Sequence, residues 1–273
     1  MIDVVHCTVD DILSDPSFFA SKFLEDGVYG IRGLFASEED QVEILLSLGD
    51  EIGWTPRHED YDPTMVRRYF ENHDHSLVGR QHSGEEYAVH WHLEHLHSSY
   101  ENSTVAGFWN MLRFDCSHKV GRTYFKDNSK MLNNLPSDFV EFLRKCGVAN
   151  KVVIDLKGNR TTEVRRDAIA QHPFKDVPVL RICQGGAELL DFEGRPPSDT
   201  EKDLFESYVD YIELDIVHNK DDRLIWEWEV GDMLISDLFV MSHAVSGGFL
   251  KGEREFLGYF CSHPSLDTAY LLD

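Results

Sequence analysis

The chain has 273 residues, of which 42% are hydrophobic, so it can bury one sizeable core. Its 49 acidic and 26 basic residues give a formal net charge of −23 at pH 7, a field that repels nucleic acid and anionic membranes. The five cysteines form no C-x-x-C pair, and no segment resembles a membrane span or a signal peptide. We therefore expect a cytoplasmic protein with reduced thiols.

Residues 1–55 predict a small α/β segment at the N-terminus. DPSFFASKFLEDG has the pattern of a helix that ends at Gly27, and VYGIRGLF follows as a short strand. SEEDQVEILLSLGDEIG predicts a second helix, with Ser37 as its N-cap and acidic residues in its first turn.

Residues 56–87 are polar, rich in Arg, His and Asp, and without clear periodicity, so they predict a long loop near the active site. From residue 88 to 273, strand patterns dominate, interrupted by the helices LPSDFVEFLRKCG, which we expect to stop at Gly147, and SDTEKDLFESYVDYIEL. We expect a single α+β domain spanning 1–273, with a β-rich core and helices packed outside it.

The stretch VHWHLEHLHSSYE concentrates histidines and glutamates on one predicted strand. Because side chains alternate between the faces of a strand, His90, His92 and Glu94 should share one face, with His95 on the other. A second histidine elsewhere would complete a two-histidine, one-carboxylate site, which suits Fe(II) that also binds a chelating cosubstrate and O2.

A later segment, WEWEVGDMLISDLFVMSHAVSGGFLKGERE, supplies both that histidine, His243, and Arg254 eleven positions on. The guanidinium of this arginine could bind a carboxylate through two parallel hydrogen bonds. It could instead form a surface ion pair with Glu253 or Glu255.

Several motifs, taken in order, resemble the taurine dioxygenase-like (TauD/TfdA) family of Fe(II)/2-oxoglutarate-dependent oxygenases. They are GVYGIRGLF, WHLE, VGRTYF, AIAQHPFKDVPVLRIC, WEWEVGD, DLFVMSH and GERE, which together span nearly the whole chain. The resemblance implies a double-stranded β-helix (jelly-roll) core and a reaction that uses Fe(II), 2-oxoglutarate and O2. It also implies metal ligands and residues that bind the far carboxylate of 2-oxoglutarate: His92, Glu94 and His243 for the metal, Thr123 and Arg254 for the carboxylate. It calls for no catalytic side chain beyond the metal ligands.

The chain departs from that family at three positions. Many members carry a second arginine four residues after the first, where this sequence has Gly258, so an anion clamp is missing. The metal carboxylate is Glu94 where aspartate is commoner, a variation seen in relatives that hydroxylate amino acids, and its presence disfavours halogenation. Asp237-Leu238 stands where Asp-Asn is frequent, so one polar contact near the site should be absent.

Other polar residues are candidates for substrate contact, and the tryptophans are expected in the core. The substrate candidates are His90, His95, Arg67 and Arg68; the core tryptophans are Trp91, Trp226 and Trp228. We expect specificity to lie in residues 56–87 and 185–200, and a small polar metabolite, such as an amino acid or a derivative, as substrate.

Two alternatives stay open from sequence, and a homo-oligomer is neither indicated nor excluded. His90-x-His92 resembles the first half of a cupin motif, although Leu96 and His97 occupy positions where that motif has glutamate. A non-catalytic jelly-roll binding protein is the second alternative. Turnover of 2-oxoglutarate separates all three.

Overall fold

The computed structural model describes residues 2–56, 67–70, 80–82, 85–93, 104–117, 120–150, 166–182, 187–250 and 252–262. Glu94, His95 and the predicted strand KVVIDL at 151–156 lie outside these ranges.

Six α-helices and seventeen strands occur in the described residues. The helices are α1 Val9–Ser14, α2 Pro16–Asp26, α3 Glu38–Ile52, α4 Asn128–Asn134, α5 Ser137–Leu143 and α6 Asp199–His218. The strands are β1 Asp3–Val5, β2 Val28–Ile31, β3 Thr55–Pro56, β4 Arg67–Phe70, β5 Arg80–His82, β6 Glu85–His92, β7 Thr104–Phe114, β8 Thr123–Asp127, β9 Cys146–Asn150, β10 Arg166–Asp167, β11 Ile169–Gln171, β12 Pro178–Leu180, β13 Ala187–Phe192, β14 Leu224–Trp226, β15 Met233–Asp237, β16 Met241–Ser246 and β17 Arg254–Ser262.

Local capping explains where the long helices begin and end. The Ser37 and Ser198 side chains each accept a hydrogen bond from the backbone N–H three residues on, closing capping boxes at the starts of α3 and α6. Gly27 ends α2 in the left-handed conformation. The predictions of Ser37 as N-cap and of Gly27 as helix end are confirmed.

Two local predictions after residue 120 are wrong or incomplete. Helix α5 ends at Leu143, and Gly147 lies within β9, where pairing with β10 and β13 sets its conformation. Helix α4 was not predicted; it follows β8 directly because Asp127 accepts hydrogen bonds from the Ser129 and Lys130 N–H groups and caps it.

Two large sheets form the jelly-roll core of this α+β fold. The first has the strand order β1-β2-β15-β7-β17-β3, with β4 also paired to β17, and the second has the order β14-β8-β16-β6-β5. Two smaller sheets, β10-β9-β13 and β11-β12, lie beside them in the topology.

Side chains that alternate along β17 pack into two different hydrophobic clusters, one on each face of the first sheet. Tyr259 and Cys261 pack in a cluster with the helices α1, α2 and α3. Phe256 and Phe260 contact a second cluster, rich in tryptophan and phenylalanine, that draws residues from both large sheets. Arg254 lies an even number of positions from these phenylalanines, so it points between the sheets.

The polar segment 56–87 is not a loop throughout. Its residues form β4, β5 and the start of β6, with β4 pairing antiparallel to residues 255–258 of β17 and β5 pairing to β6. Because these strands lie at sheet margins, their residues carry no apolar alternation that sequence could reveal.

None of the helices in the described ranges is long and apolar enough to span a membrane. The four cysteines that the structure describes, Cys7, Cys116, Cys146 and Cys261, form no disulfide with one another.

Candidate active site

Two histidines from neighbouring strands of the second sheet face each other. His243 on β16 pairs directly with His92 on β6, and their ring centroids lie 4.2 Å apart. His243 is buried, with 7% exposure, whereas His92 is partly exposed. The pair is therefore shielded from solvent at His243 and accessible to solvent at His92.

Aromatic side chains close the site behind His243. Phe125 is its register partner on β8, with ring centroids 5.9 Å apart, so Phe125, His243 and His92 form a row across three strands. Trp109 approaches from the opposite sheet, its ring centroid also 5.9 Å from that of His243. This packing holds the His243 ring and keeps water from that side.

The donor set fits a divalent iron ion. Two imidazoles this close can bind one ion, and an imidazole pair with one carboxylate is the preferred set for non-haem Fe(II). No cluster of three metal-binding side chains occurs in the described part of the chain. The predicted third ligand, Glu94, lies two positions after His92, just beyond the last described residue of that segment.

The pairing of β6 with β16 is irregular beside the histidines. His243 pairs with His92 but Val245 pairs with Val89, so β6 contains one more residue than β16 between these points. A bulge of this kind interrupts strict alternation. The face of His90 therefore does not follow from that of His92, and its side chain lies outside the description.

Arg254, at the start of β17, is buried with 2% exposure, and a surface ion pair is not its role. Its guanidinium carbon lies 5.1 Å from the Phe249 ring centroid and 5.6 Å from that of Phe256. Aromatic faces stabilise a desolvated cation, so these two rings favour the buried position of the guanidinium.

The turn before β8 is shaped around the stem of Arg254. Gly121 has φ +66°, and a Cβ built there would lie 3.2 Å from Arg254 Cδ and 3.0 Å from the Phe114 ring. Both the backbone conformation and the space therefore require glycine.

Replacing Gly121 with alanine should cost about 1–2 kcal/mol of folding free energy, because a side chain at positive φ is strained. It should also displace Arg254 and, with Arg254 binding 2-oxoglutarate as the family resemblance implies, raise the KM for 2-oxoglutarate severalfold. Urea unfolding and steady-state kinetics measure the two effects, and Gly194→Ala is the matched control, since φ there is +74° with no atom within 4 Å of the built Cβ. An unchanged KM in Gly121→Ala would contradict the packing argument.

Thr123, two residues after Gly121, has a partner that sequence analysis did not identify. The Trp228 indole Nε1–H donates a hydrogen bond of 2.9 Å to Thr123 Oγ1. Trp228 is thus a core tryptophan, as predicted, and in addition a polar contact of a candidate site residue. The sequence shows only a Trp-x-Trp pattern, and this pattern does not distinguish a tryptophan that only packs in the core from one that also donates a hydrogen bond.

A buried carboxylate fixes the turn between β15 and β16, six residues before His243. Asp237 accepts hydrogen bonds from the Phe239 and Val240 N–H groups, from His172 Nε2 at 2.9 Å and from Lys175 Nζ at 2.9 Å. His172 Nδ1 accepts hydrogen bonds from two backbone N–H groups, which leaves Nε2 to donate to Asp237. The His-Pro segment is thereby tied to the turn between β15 and β16.

Burial alone would raise the pKa of Asp237, but the hydrogen bond and electrostatic interaction with His172, followed by those with Lys175, outweigh burial and hold the pKa below its usual 3.8. A depressed acid pKa contributes stability above the unfolded value, and that contribution is lost as pH falls through the folded value. Asp237→Asn should therefore destabilise the protein at pH 7 by about 2–4 kcal/mol. In urea titrations the difference from wild type should shrink below about pH 4; a constant difference would contradict a charged Asp237.

The position where many relatives carry a second arginine lies between two described strands. Gly258 pairs with Trp109 on β7 and with Arg67 on β4, and the adjacent Leu257 pairs with Arg68. The backbone thus brings the segment of Arg67 and Arg68 beside the strand of Arg254. Their side chains lie outside the description, as does His95.

Comparison with solved structures finds proteins of the same fold. A taurine dioxygenase from Burkholderia xenovorans has a TM-score of 0.69 at 13% identity, over 92% of this chain and 82% of that chain. AAD-2, solved with Mn(II) and N-oxalylglycine, has a TM-score of 0.66 at 12% identity, over 100% of this chain and 96% of that one. PvcB, an Fe, α-ketoglutarate-dependent oxygenase from an isonitrile synthetic pathway, has a TM-score of 0.64 at 13% identity, over 96% and 86%. At these identities the similarity shows the fold.

The sequence itself shows the family. Residues 12–259 match the model of the taurine catabolism dioxygenase TauD, TfdA family, and the chain belongs to that family. No curated protein sequence matches the chain. The family consists of Fe(II)- and 2-oxoglutarate-dependent oxygenases, so the protein is an oxidoreductase of this class, and the resemblance seen in the motifs is confirmed. Family membership decides against the cupin and non-catalytic alternatives.

Proposed function

We propose that His92, Glu94 and His243 bind the Fe(II) that this family uses. The observation that carries the proposal is the register pair of His92 and His243, whose ring centroids lie 4.2 Å apart at the open side of an aromatic wall. Glu94 is proposed from the motif, since a carboxylate two positions from His92 would complete the set of two imidazoles and one carboxylate.

The far carboxylate of 2-oxoglutarate would bind Arg254 and Thr123. Arg254 is buried next to aromatic rings, and its guanidinium offers a fixed pair of donors. Thr123 offers a hydroxyl at the start of β8, just after the turn at Gly121 that packs against the Arg254 side chain.

When bound, Fe(II) supplies O2 activation coupled to oxidative decarboxylation of 2-oxoglutarate, giving succinate and CO2. The protein's own contribution is geometry and exclusion of water. Phe125 and Trp109 seal the side of the His243 ring, so substrate and O2 would approach from the His92 side. No side chain is needed as general acid or base.

The proposed reaction is hydroxylation of an unactivated C–H bond in a small polar metabolite. Gly258 contributes no charge where it pairs with Trp109, which disfavours strongly anionic substrates such as sulfonates. Free amino acids and their derivatives are the favoured class, with Arg67, Arg68, His90 and His95 as candidate contacts.

The cellular setting is part of the same proposal. We infer that residues 1–273 act as one domain in the cytoplasm on a small-molecule substrate. A net charge of −23 disfavours nucleic acid and anionic membrane as partners. A homo-oligomer is compatible with this account.

A substrate screen tests the proposal. Fe(II)-loaded protein is incubated with 2-oxoglutarate, O2 and single candidate substrates, and succinate release is measured against the uncoupled rate. Amino acids or their derivatives should stimulate succinate release and gain one oxygen atom by mass spectrometry. Stimulation by taurine or aryloxyacetates alone would contradict the proposed substrate class but not the cofactor assignment. Oxidation without oxygen gain would contradict hydroxylation.

A further inference from the structure

The hydrogen bond between Trp228 and Thr123 has a fixed direction. An indole N–H can only donate, whereas a threonine hydroxyl can both donate and accept. Trp228 Nε1 therefore donates to Thr123 Oγ1 over 2.9 Å, and both side chains are buried, at 2% and 6% exposure. Within the described parts of the chain, this is the one hydrogen bond that the Thr123 side chain makes.

The direction of this hydrogen bond leaves the Thr123 hydroxyl available as a donor to a second group. Because the indole proton points at one lone pair of Oγ1, the hydroxyl proton is directed away from Trp228 and can be donated to an acceptor. Accepting a hydrogen bond also polarises a hydroxyl and strengthens it as a donor. The stem of Arg254 passes beside Gly121, two residues before Thr123, so the arginine stem packs against the turn that leads into the Thr123 strand.

We propose that Trp228 is a positioning residue for 2-oxoglutarate, which orients the Thr123 hydroxyl so that it donates to the far carboxylate beside Arg254. This inference rests on the proposed cosubstrate site and assigns to Trp228 a role beyond packing. Trp228 does not touch the reacting atoms; it acts through Thr123.

The neighbouring tryptophan provides a matched control. Trp226 packs edge-on against Trp228, with centroids 6.1 Å apart, and is equally buried at 2% exposure. Its Nε1 meets no hydrogen-bond acceptor among the described residues. Trp226→Phe and Trp228→Phe therefore remove the same atoms from the same core, but only the second removes a hydrogen bond.

The first test is anaerobic titration of Fe(II)-loaded protein with 2-oxoglutarate, followed by the visible charge-transfer band of the chelate. Trp228→Phe should raise the Kd for 2-oxoglutarate about fivefold to tenfold, the effect of a lost orienting hydrogen bond to a charged acceptor. Trp226→Phe should stay within about twofold of wild type. Adding Trp228→Phe to Thr123→Val should cause little further loss, because Trp228 acts only through the Thr123 hydroxyl.

Binding of pyruvate distinguishes a loss of Thr123 positioning from general damage to the active site in Trp228→Phe. Pyruvate shares the chelating end of 2-oxoglutarate but lacks the far carboxylate, so its Kd should be equal in wild type and Trp228→Phe. An equal loss for pyruvate and 2-oxoglutarate, or no loss for either, overturns the role of Trp228. If wild-type protein binds iron but gives no band with 2-oxoglutarate, the proposed cosubstrate site itself fails, which is a different result.

A measurement on unsubstituted protein covers the case in which Trp228→Phe does not fold. In Zn(II)-loaded protein labelled with 15N in its five tryptophans, 2-oxoglutarate should shift the indole N–H resonance of Trp228 downfield. Pyruvate should leave that resonance in place, and Trp226 should respond to neither. A Trp228 resonance that does not distinguish the two ligands overturns the proposal.

Discussion

Replacement of His243 by alanine is expected to lower Fe(II) affinity and 2-oxoglutarate turnover by more than about a hundredfold, since even residues that only support metal ligands contribute 10- to 100-fold. The effect should be large because His243 is held rigidly between Phe125, Trp109 and His92. No other described side chain can take its place opposite His92. Metal content after anaerobic reconstitution and succinate release measure the two losses.

His172→Gln is the control for His243→Ala. His172 is buried at 3% exposure, but its ring hydrogen-bonds Asp237 and the backbone and does not face His92. This variant should bind Fe(II) within a fewfold of wild type although its thermal stability falls. Equal loss of iron in both variants, or iron retained at wild-type affinity in His243→Ala, would refute the metal site.

Replacement of Arg254 by methionine should raise the KM for 2-oxoglutarate by about a hundredfold or more, because two charge-assisted hydrogen bonds of about 1.5–3 kcal/mol each are lost. Fe(II) affinity should change by less than about twofold, since the guanidinium is not a metal ligand. Lysine should restore little, because one ammonium cannot reproduce the two parallel donors of a guanidinium. Steady-state kinetics with varied 2-oxoglutarate and anaerobic iron titration distinguish the two effects.

Arg113→Met is the matched control on the adjacent strand. Arg113 pairs in register with Glu255, but its side chain is 46% exposed and interacts with Asp115 at 3.8 Å. Its loss should leave the KM unchanged. If Arg254→Met and Arg113→Met behaved alike, the buried guanidinium would have no specific role in cosubstrate binding.

Sequence predicted the features that depend on local chemistry or on a fixed spacing. Ser37 caps α3 because a hydroxyl three residues before a free N–H needs no distant partner. Strand alternation placed Trp91 in the core, and its 2% exposure against the partly exposed His92 agrees with that prediction.

Features that depend on pairing between distant segments were not predictable. β4 is a strand because it pairs with β17, nearly two hundred residues later, and its own polar residues carry no strand pattern. The Trp228–Thr123 bond likewise joins segments 105 residues apart. The bulge in β6 also depends on its partner strand, so the face of His90 stays a prediction.

Leu238, which stands where the family pattern often has asparagine, lies in an apolar environment. Leu238 is fully buried in the aromatic cluster between the sheets, where an amide would need hydrogen-bond partners. Asp237 instead directs its carboxylate to His172, Lys175 and the following turn. The polar connection of this turn thus runs to the His-Pro segment.

The visible spectrum of wild-type protein with Fe(II) and 2-oxoglutarate under anaerobic conditions tests the central claim most directly. The account predicts a weak charge-transfer band that saturates with one equivalent of 2-oxoglutarate, disappears in His92→Ala and needs far more ligand in Arg254→Met. Iron binding without the band in wild type, or a band indifferent to both substitutions, would contradict the assignment of this site.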